Sequence, residues 1–303
     1  MGDITTLQVQ QFATRWDMLV QQTQSKLMPF VSSGAGHFGK QASPVDQWGL
    51  TEVEENTTRF APMTLGELPF ERRWVFPTNW DKALGLDKND LLRILNDPKA
   101  PMMTSLMSAV NRRRDRTIID GALNTNYTGE AGTTTQSFLS TQVVSVNEGG
   151  TASKLNVAKI RAAWEKMLAN DVDVDAEEFY LAVDARAHAA LLAEVQVISK
   201  DYNSFDASPI IQTGRLTNIF GFNVVHCERL TEFNGTDDGG GTSTPCIAWA
   251  KSGLYYGAWN EVIARVDERT DLRGLPWQLY TAATFGATRL QEKKVVKIWS
   301  DAA

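Results

Sequence analysis

Residues 34–40 read GAGHFGK, the G-x-x-x-x-G-K spacing of a phosphate-binding loop. Such a loop aims backbone N–H groups at phosphate oxygens and lends a lysine to the terminal ones. Here Gln41 stands where the Ser or Thr that holds magnesium belongs, and Pro44 blocks the helix that must follow at once. The stretch is read instead as part of a flexible arm. Asp171, Asp173 and Asp175 open like a calcium loop, yet Ala176 occupies the position that needs glycine and Ala182 the one that needs glutamate. An acidic helix end turning into a strand fits them better. His37, His188 and His226 are the only histidines. His226 adjoins Cys227, and neighbours on a strand point to opposite faces, which spoils chelation. Cys227 and Cys246 are the only cysteines and are expected as reduced, buried thiols. No serine elbow, Cys–His spacing or carboxylate pair points to catalysis, so no enzyme, cofactor or metal is expected.

One cluster is left. Arg112, Arg113, Arg114 and Arg116, with Asp115 among them, could grip phosphate. The chain as a whole carries a net charge of −6, which argues against coating nucleic acid by phosphate neutralisation. A solvated helix face, or ion pairs with an acidic hairpin of another subunit, is the better reading. The N-terminal MGDITT matches a myristoylation pattern through Gly2 and Thr6, without a polybasic partner. No secretory signal and no apolar run of membrane-spanning length is read.

The element that positions the arginines spans residues 97–123. Asp97 is a plausible N-cap, Pro98 suits the first turn, and Met103, Leu106, Met107, Val110, Ile118 and Ala122 recur at helical spacing. The helix would be roughly 35–40 Å long, a beam for other elements. Residues 1–45 read as an arm: a helix over 5–24, an apolar run at 27–31, and a Gly/Ser stretch at 32–39 that needs another surface to settle on. Residues 46–80 read as an extended β-hairpin, outgoing over 49–60, with its tip at 61–69 and return over 70–76. Its limbs carry Glu52, Glu54, Glu55 and Arg59 outward and Arg72 and Arg73 back, with Trp48, Phe60, Phe70 and Trp74 as apolar anchors. A lone hairpin is marginal in water, so this one is expected to lie on a neighbour. Residues 79–96 read as a short helical connection and 124–150 as a polar hairpin or loop.

An α/β unit follows. Asn156 and Asp184 cap helices, 179–183, 222–226 and 246–249 are strands, and 234–244 is an exposed loop. Residues 263–267, 279–290 and 294–299 are late strands, giving an α+β chain without internal repeats.

With those segments in hand, a resemblance is visible. NTNYTGEAG at 124–132, GFNVVHCER at 221–229, AWAKSGLYYGAW at 248–259, and ARVDER and FGATRLQEKK within 263–294 are similar to the major capsid proteins of tailed bacteriophages, which have the Hong Kong 97-type fold. The resemblance implies an N-terminal arm (1–45), an extended loop (46–80), a peripheral domain (81–150 with spine helix 97–123, and 259–303) and an axial domain (151–258). It implies an icosahedral shell of pentamers and hexamers around packaged double-stranded DNA, bound without sequence specificity. The implied partners are a portal protein, a scaffolding protein and a cement or decoration protein, with no membrane; the setting is the virion, assembled in the host cytoplasm. Some relatives lock their shells through a lysine of the extended loop. Residues 41–81 contain no lysine, so non-covalent contacts or a cement protein are expected here. The alternatives are an encapsulin-like compartment with protein cargo, and a soluble hydrolase or binding protein using residues 151–258.

Overall fold

The computed structural model describes residues 19–40, 42, 45–53, 55, 65–88, 99–148, 150–194, 214–236 and 239–301. In chain order the strands before the long helix are β1 (Ser32–Ala35), β2 (Asp46–Trp48), β3 (Phe70–Trp74) and β4 (Thr78–Leu86). The long helix is α1 (Lys99–Leu123), followed by β5 (Asn126–Thr128), β6 (Thr134–Gln136) and β7 (Val143–Val144). Then come α2 (Val157–Leu168), β8 (Phe179–Val183), α3 (Ala185–Ala193), β9 (Asn218–Ile219), β10 (Phe222–His226) and β11 (Gly235–Thr236). The chain closes with β12 (Thr242–Ala250), β13 (Leu254–Glu268), β14 (Trp277–Arg289) and β15 (Val295–Asp301). The fold class is α+β, as expected.

Three sheets organise these strands. The largest has the order β7-β15-β12-β8-β10-β9, with β11 beside β12. Its centre is apolar on both faces: all five residues of β8 are buried. Helix α2 covers it; Asn156 accepts a hydrogen bond from the Lys159 N–H and so satisfies one of the orphan donors at the helix start. Ile160, Ala163 and Met167 then face the sheet core with Leu181, Val183, Phe222 and Ile298. Asp184 caps α3 in the same way through the Ala187 N–H. The second sheet runs β1-β13-β14-β4 and the third β2-β3-β5-β6.

Two compact units are drawn from these elements. One takes its described residues from Met1–Gln24, Asn79–Arg112 and Val262–Ala283; the other from Ser25–Thr78, Arg113–Glu261 and Thr284–Ala303. The first unit has its own small core of Leu86, Leu106 and Leu279, with Met102, Met103 and Trp277 packed against it. In the second, Gly121 marks where α1 meets β14: a Cβ there would lie 2.7 Å from the backbone of Ala287. Only glycine allows that approach.

Several expectations need correction. Residues 78–86 form strand β4, not part of a helical connection; the rest of that stretch, 89–96, lies outside the described residues. Pairing with β14 overrode the helical spacing of Trp80 and Leu84. Residues 19–24 are not helical, and 5–18 lie outside the described residues. The Gly/Ser stretch of the arm does not wait for another molecule. Leu27 and Val31 are buried in their own chain, and β1 pairs in parallel with β13, Ser32 opposite Tyr255 through Ala35 opposite Ala258. The hairpin is present, but its ladder sits at Asp46–Trp48 against Phe70–Arg72, earlier than the outgoing limb expected from 49. Residues 54 and 56–64, including Glu54, Arg59 and Phe60, lie outside the described residues.

Candidate functional site

The phosphate-loop spacing does not make a phosphate cradle. After β1 the chain turns through Gly36 (φ 76°) and Gly39 (φ 87°), and His37 is occupied. Its N–H donates to the Ala258 carbonyl at 3.3 Å, its Nε2 lies 2.8 Å from the Tyr255 hydroxyl, and its ring centroid lies 5.1 Å from that of Trp259, the planes tilted by 48°. The acidic trio is a turn: Asp173 Oδ1 accepts from the N–H groups of Asp175 and Ala176, each at 3.1 Å. Among the described residues no cluster of His, Cys, Asp and Glu could hold a metal. Both thiols are free and buried. Burial pushes the Cys227 thiol up to about 12 and raises Cys246 too, which keeps both protonated and unreactive.

What the structure gathers instead is the base of the hairpin. Trp48 is 68 % exposed and packs edge-on against half-exposed Phe70, ring centroids 5.2 Å apart. Beyond them Leu50, Val53 and Leu65 (93 % exposed) stand in solvent, as do Glu52 and Glu55. Arg72 is held over the Phe70 and Trp74 rings and donates from Nε to Asp46 at 2.7 Å, a bond that raises its pKa. Trp74 donates its indole N–H to the Gly129 carbonyl at 2.6 Å. The base therefore presents an aromatic and aliphatic patch framed by charge.

Arg73 goes the other way. Adjacent residues of a strand face opposite sides, so while Arg72 looks outward Arg73 is buried. Its Nη1 lies 3.3 Å from Glu292, and Glu292 also takes Arg289 Nε at 2.6 Å. Arg289 is 0 % exposed, and its Nη1 donates to the carbonyls of Ala122 (2.6 Å) and Asn124 (2.7 Å) at the end of α1. Burial lowers the Arg289 pKa and Glu292 opposes that shift. One carboxylate thus ties the hairpin base to β14 and to the helix terminus. Sequence reading missed Glu292 and Arg289, because both lie more than 200 positions from Arg73 and no local signal joins Arg73 to them.

The arginine band of α1 also has partners within the chain. Arg112 Nη1 donates to Gln21 Oε1 at 2.8 Å and to the Gln22 carbonyl at 3.2 Å. Arg116 pairs with Glu232 at 3.2 Å. Burial, then the nearby Arg116, lowers the Arg113 pKa, and Arg114 lies against the Tyr256 hydroxyl. Between them the fully buried Asp115, which sequence reading treated as one charge in a band, is a latch. It accepts from the Ser25 hydroxyl at 2.5 Å, from the Lys26 N–H at 2.9 Å and from the Leu27 N–H at 3.1 Å. Asp115→Ala leaves those donors unsatisfied and is expected to cost about 2–4 kcal/mol. Limited proteolysis of the variant subunit should cut near residue 26 at a protease level that spares the original; equal resistance would show that β1 alone holds the arm.

The family model described as phage capsid protein matches residues 4–301. Among solved structures, the cyanophage Pam1 capsid superposes with a TM-score of 0.75 at 14 % identity, over 99 % of this chain and 98 % of that one. The capsid of cyanophage P-SCSP1u gives 0.74 at 11 %, over 99 % and 95 %. A chain of Mycobacterium phage Ogopogo gives 0.68 at 13 %, over 100 % of both. A search of curated proteins finds no match.

Proposed function

This chain belongs to the phage capsid protein family, with a Hong Kong 97-type fold, and is a major capsid protein that forms the shell; from that premise we propose how it does so and what it encloses. Copies associate through the hairpin base into pentamers and hexamers, which close into an icosahedral shell around packaged double-stranded DNA. Its role is structural rather than catalytic. The observation that supports this mechanism is the exposed patch of Trp48, Leu50, Val53, Leu65 and Phe70 on a hairpin clamped to its own subunit by Arg73. A rigid base lets an apolar loop be offered to a neighbour at little ordering cost. Specific contacts of this kind bury about 1,600 Å² in total. Each contact can be weak, because closure engages many at once and mass action then favours the shell.

Arg72, Glu52 and Glu55 stand at the rim of the patch, where charge sets register and encounter more than strength. Arg112, Arg113, Arg114 and Arg116, bonded within the chain, are better placed to hold the arm and the spine together than to reach a neighbour. The absence of lysine from residues 41–81 supports a shell without loop-borne covalent links. A net charge of −6 suits a wall that does not adhere to DNA; a portal, a scaffolding protein and a cement protein complete the proposed partners, with assembly in the host cytoplasm.

The test is electron microscopy of particles purified from phage-producing cells, with nuclease treatment. Closed shells holding nuclease-protected double-stranded DNA are expected. Shells filled with protein and free of DNA would identify a cargo compartment instead.

A further inference from the structure

Strand β9 closes one edge of the largest sheet, and its hold there is slight. It pairs with β10 at two positions, Ile219 opposite Phe222 and Asn218 opposite Asn223. The two-residue turn between them, Phe220 (φ 47°) and Gly221 (φ 79°), lies wholly in the left-handed region. Tight hairpins need that geometry, and glycine or asparagine enters it easily. A phenylalanine Cβ crowds the backbone there, and Phe220, 48 % exposed, gains little burial in return. Strand β10 does not need β9, since its other edge pairs with β8 from Phe222 to His226. What secures β9 is the chain just before it. The Thr217 carbonyl accepts the Val224 N–H at 2.9 Å, and buried Leu216 shares the apolar core with Ala187 and Leu191 of α3. The Leu216 N–H donates to Nε2 of His188, on α3, at 3.3 Å.

That last bond exists in one protonation state only. Nε2 accepts when it is bare, so the imidazole must be neutral with its proton on Nδ1. The charges that His188 feels are His226 on β10 and Arg215 beside Leu216, both cationic in acid. The nearby carboxylates are engaged elsewhere. Asp184 accepts from the Ala187 N–H at 3.0 Å, and Glu228 accepts from the Ala185 N–H at 3.1 Å and lies 3.6 Å from His226. We propose that His188 is an acid-sensitive catch for this sheet edge: a proton on Nε2 frees Leu216, and β9 swings out on the Phe220–Gly221 turn. Burial, then His226 and Arg215, holds the His188 imidazole below the ordinary histidine range in the closed edge. The opened edge returns the ring to water, where it takes up a proton below about pH 6.5. Opening therefore grows as pH falls through that value and is suppressed above it. The catch belongs to the single subunit and does not depend on how shells close.

Hydrogen exchange of the free subunit between about pH 7.5 and 5, expressed as protection relative to the intrinsic rate at each pH, tests this. Protection of the Leu216 and Val224 amides should fall by up to about tenfold per pH unit below about 6.5, because opening takes up one proton. The β8 amides should keep theirs, which distinguishes a local opening from acid unfolding. His188→Gln places an amide oxygen near the Nε2 position and cannot take up the proton, so its protection should stay flat over the same range. Unchanged protection down to pH 5 in the original chain, or the same fall in H188Q, overturns the proposal. The unaltered chain gives a second reading: the His188 imidazole resonance should titrate below about 6.5, and titration at or above that value overturns it as well.

Discussion

Replacing Glu292 with alanine lowers the stability of the free subunit by about 3–5 kcal/mol and its thermal midpoint by roughly 6–15 °C. The carboxylate is buried between Arg73 at 3.3 Å and Arg289 at 2.6 Å. Removing it leaves two guanidinium groups facing each other in a low-dielectric site with no anion between them, and that uncompensated charge is the main cost. Exposed pairs such as Arg269–Asp271 differ: they lie in water, and losing one is worth under about 1 kcal/mol. Glu292→Gln keeps one acceptor and should recover part of the loss. The damage should also be local before it is global. Hydrogen exchange in E292A should quicken in residues 46–48 and 70–74, whose strands Arg73 secures, at temperatures where the β8–β12 core remains protected. A midpoint shift under about 2 °C would mean that water reaches the arginines and the bridge holds nothing.

Local chemistry explains which parts of this fold could be read in advance. Strands β8 and β10 coincide with their expected bounds because their apolar runs are short and sharply ended, and α2 and α3 begin where Asn156 and Asp184 satisfy orphan N–H groups. Each of those signals lies within a few residues. Where a distant partner decides, the reading failed. Ser32–Ala35 has the composition of a linker and is a strand because Tyr255–Ala258 offers a free edge. Residues 78–86 show helical spacing and are a strand because β14 runs beside them. The apolar stretch of β13 from Leu254 does not alternate, so only its far end, 263–267, read as a strand. The division of labour between Arg72 and Arg73 was not legible in the sequence. That division follows from strand pleat and from Glu292, 219 positions away. The partners of Arg112 and Arg116 within the chain, Gln21 and Glu232, are likewise remote in sequence, so no local signal announces them.

Replacing residues 50–68 with a two-residue turn should leave a folded subunit that forms no shells. The ladder beneath the excised loop is self-contained: Gly49 donates to the Pro69 carbonyl at 2.7 Å, Gln47 faces Glu71, and Arg73 still reaches Glu292. Leu50, Val53, Leu65 and Leu68 are exposed and add nothing to their own core, so the thermal midpoint should move by no more than about 2 °C. Their absence is felt only between subunits. Burying each such side chain contributes about 1.5–3 kcal/mol, so four together amount to roughly 6–12 kcal/mol. That is the free energy of an association between tens of micromolar and nanomolar, comparable to a whole contact. Losing it should raise the assembly threshold beyond any practical concentration, whereas E292A, which weakens the base but keeps the loop, should still assemble at low temperature. The contrast separates the two roles. Normal shells from the loop-deleted chain would show that the exposed side chains are incidental and that the subunits meet elsewhere; a subunit that no longer folds would show that the loop belongs to its own core.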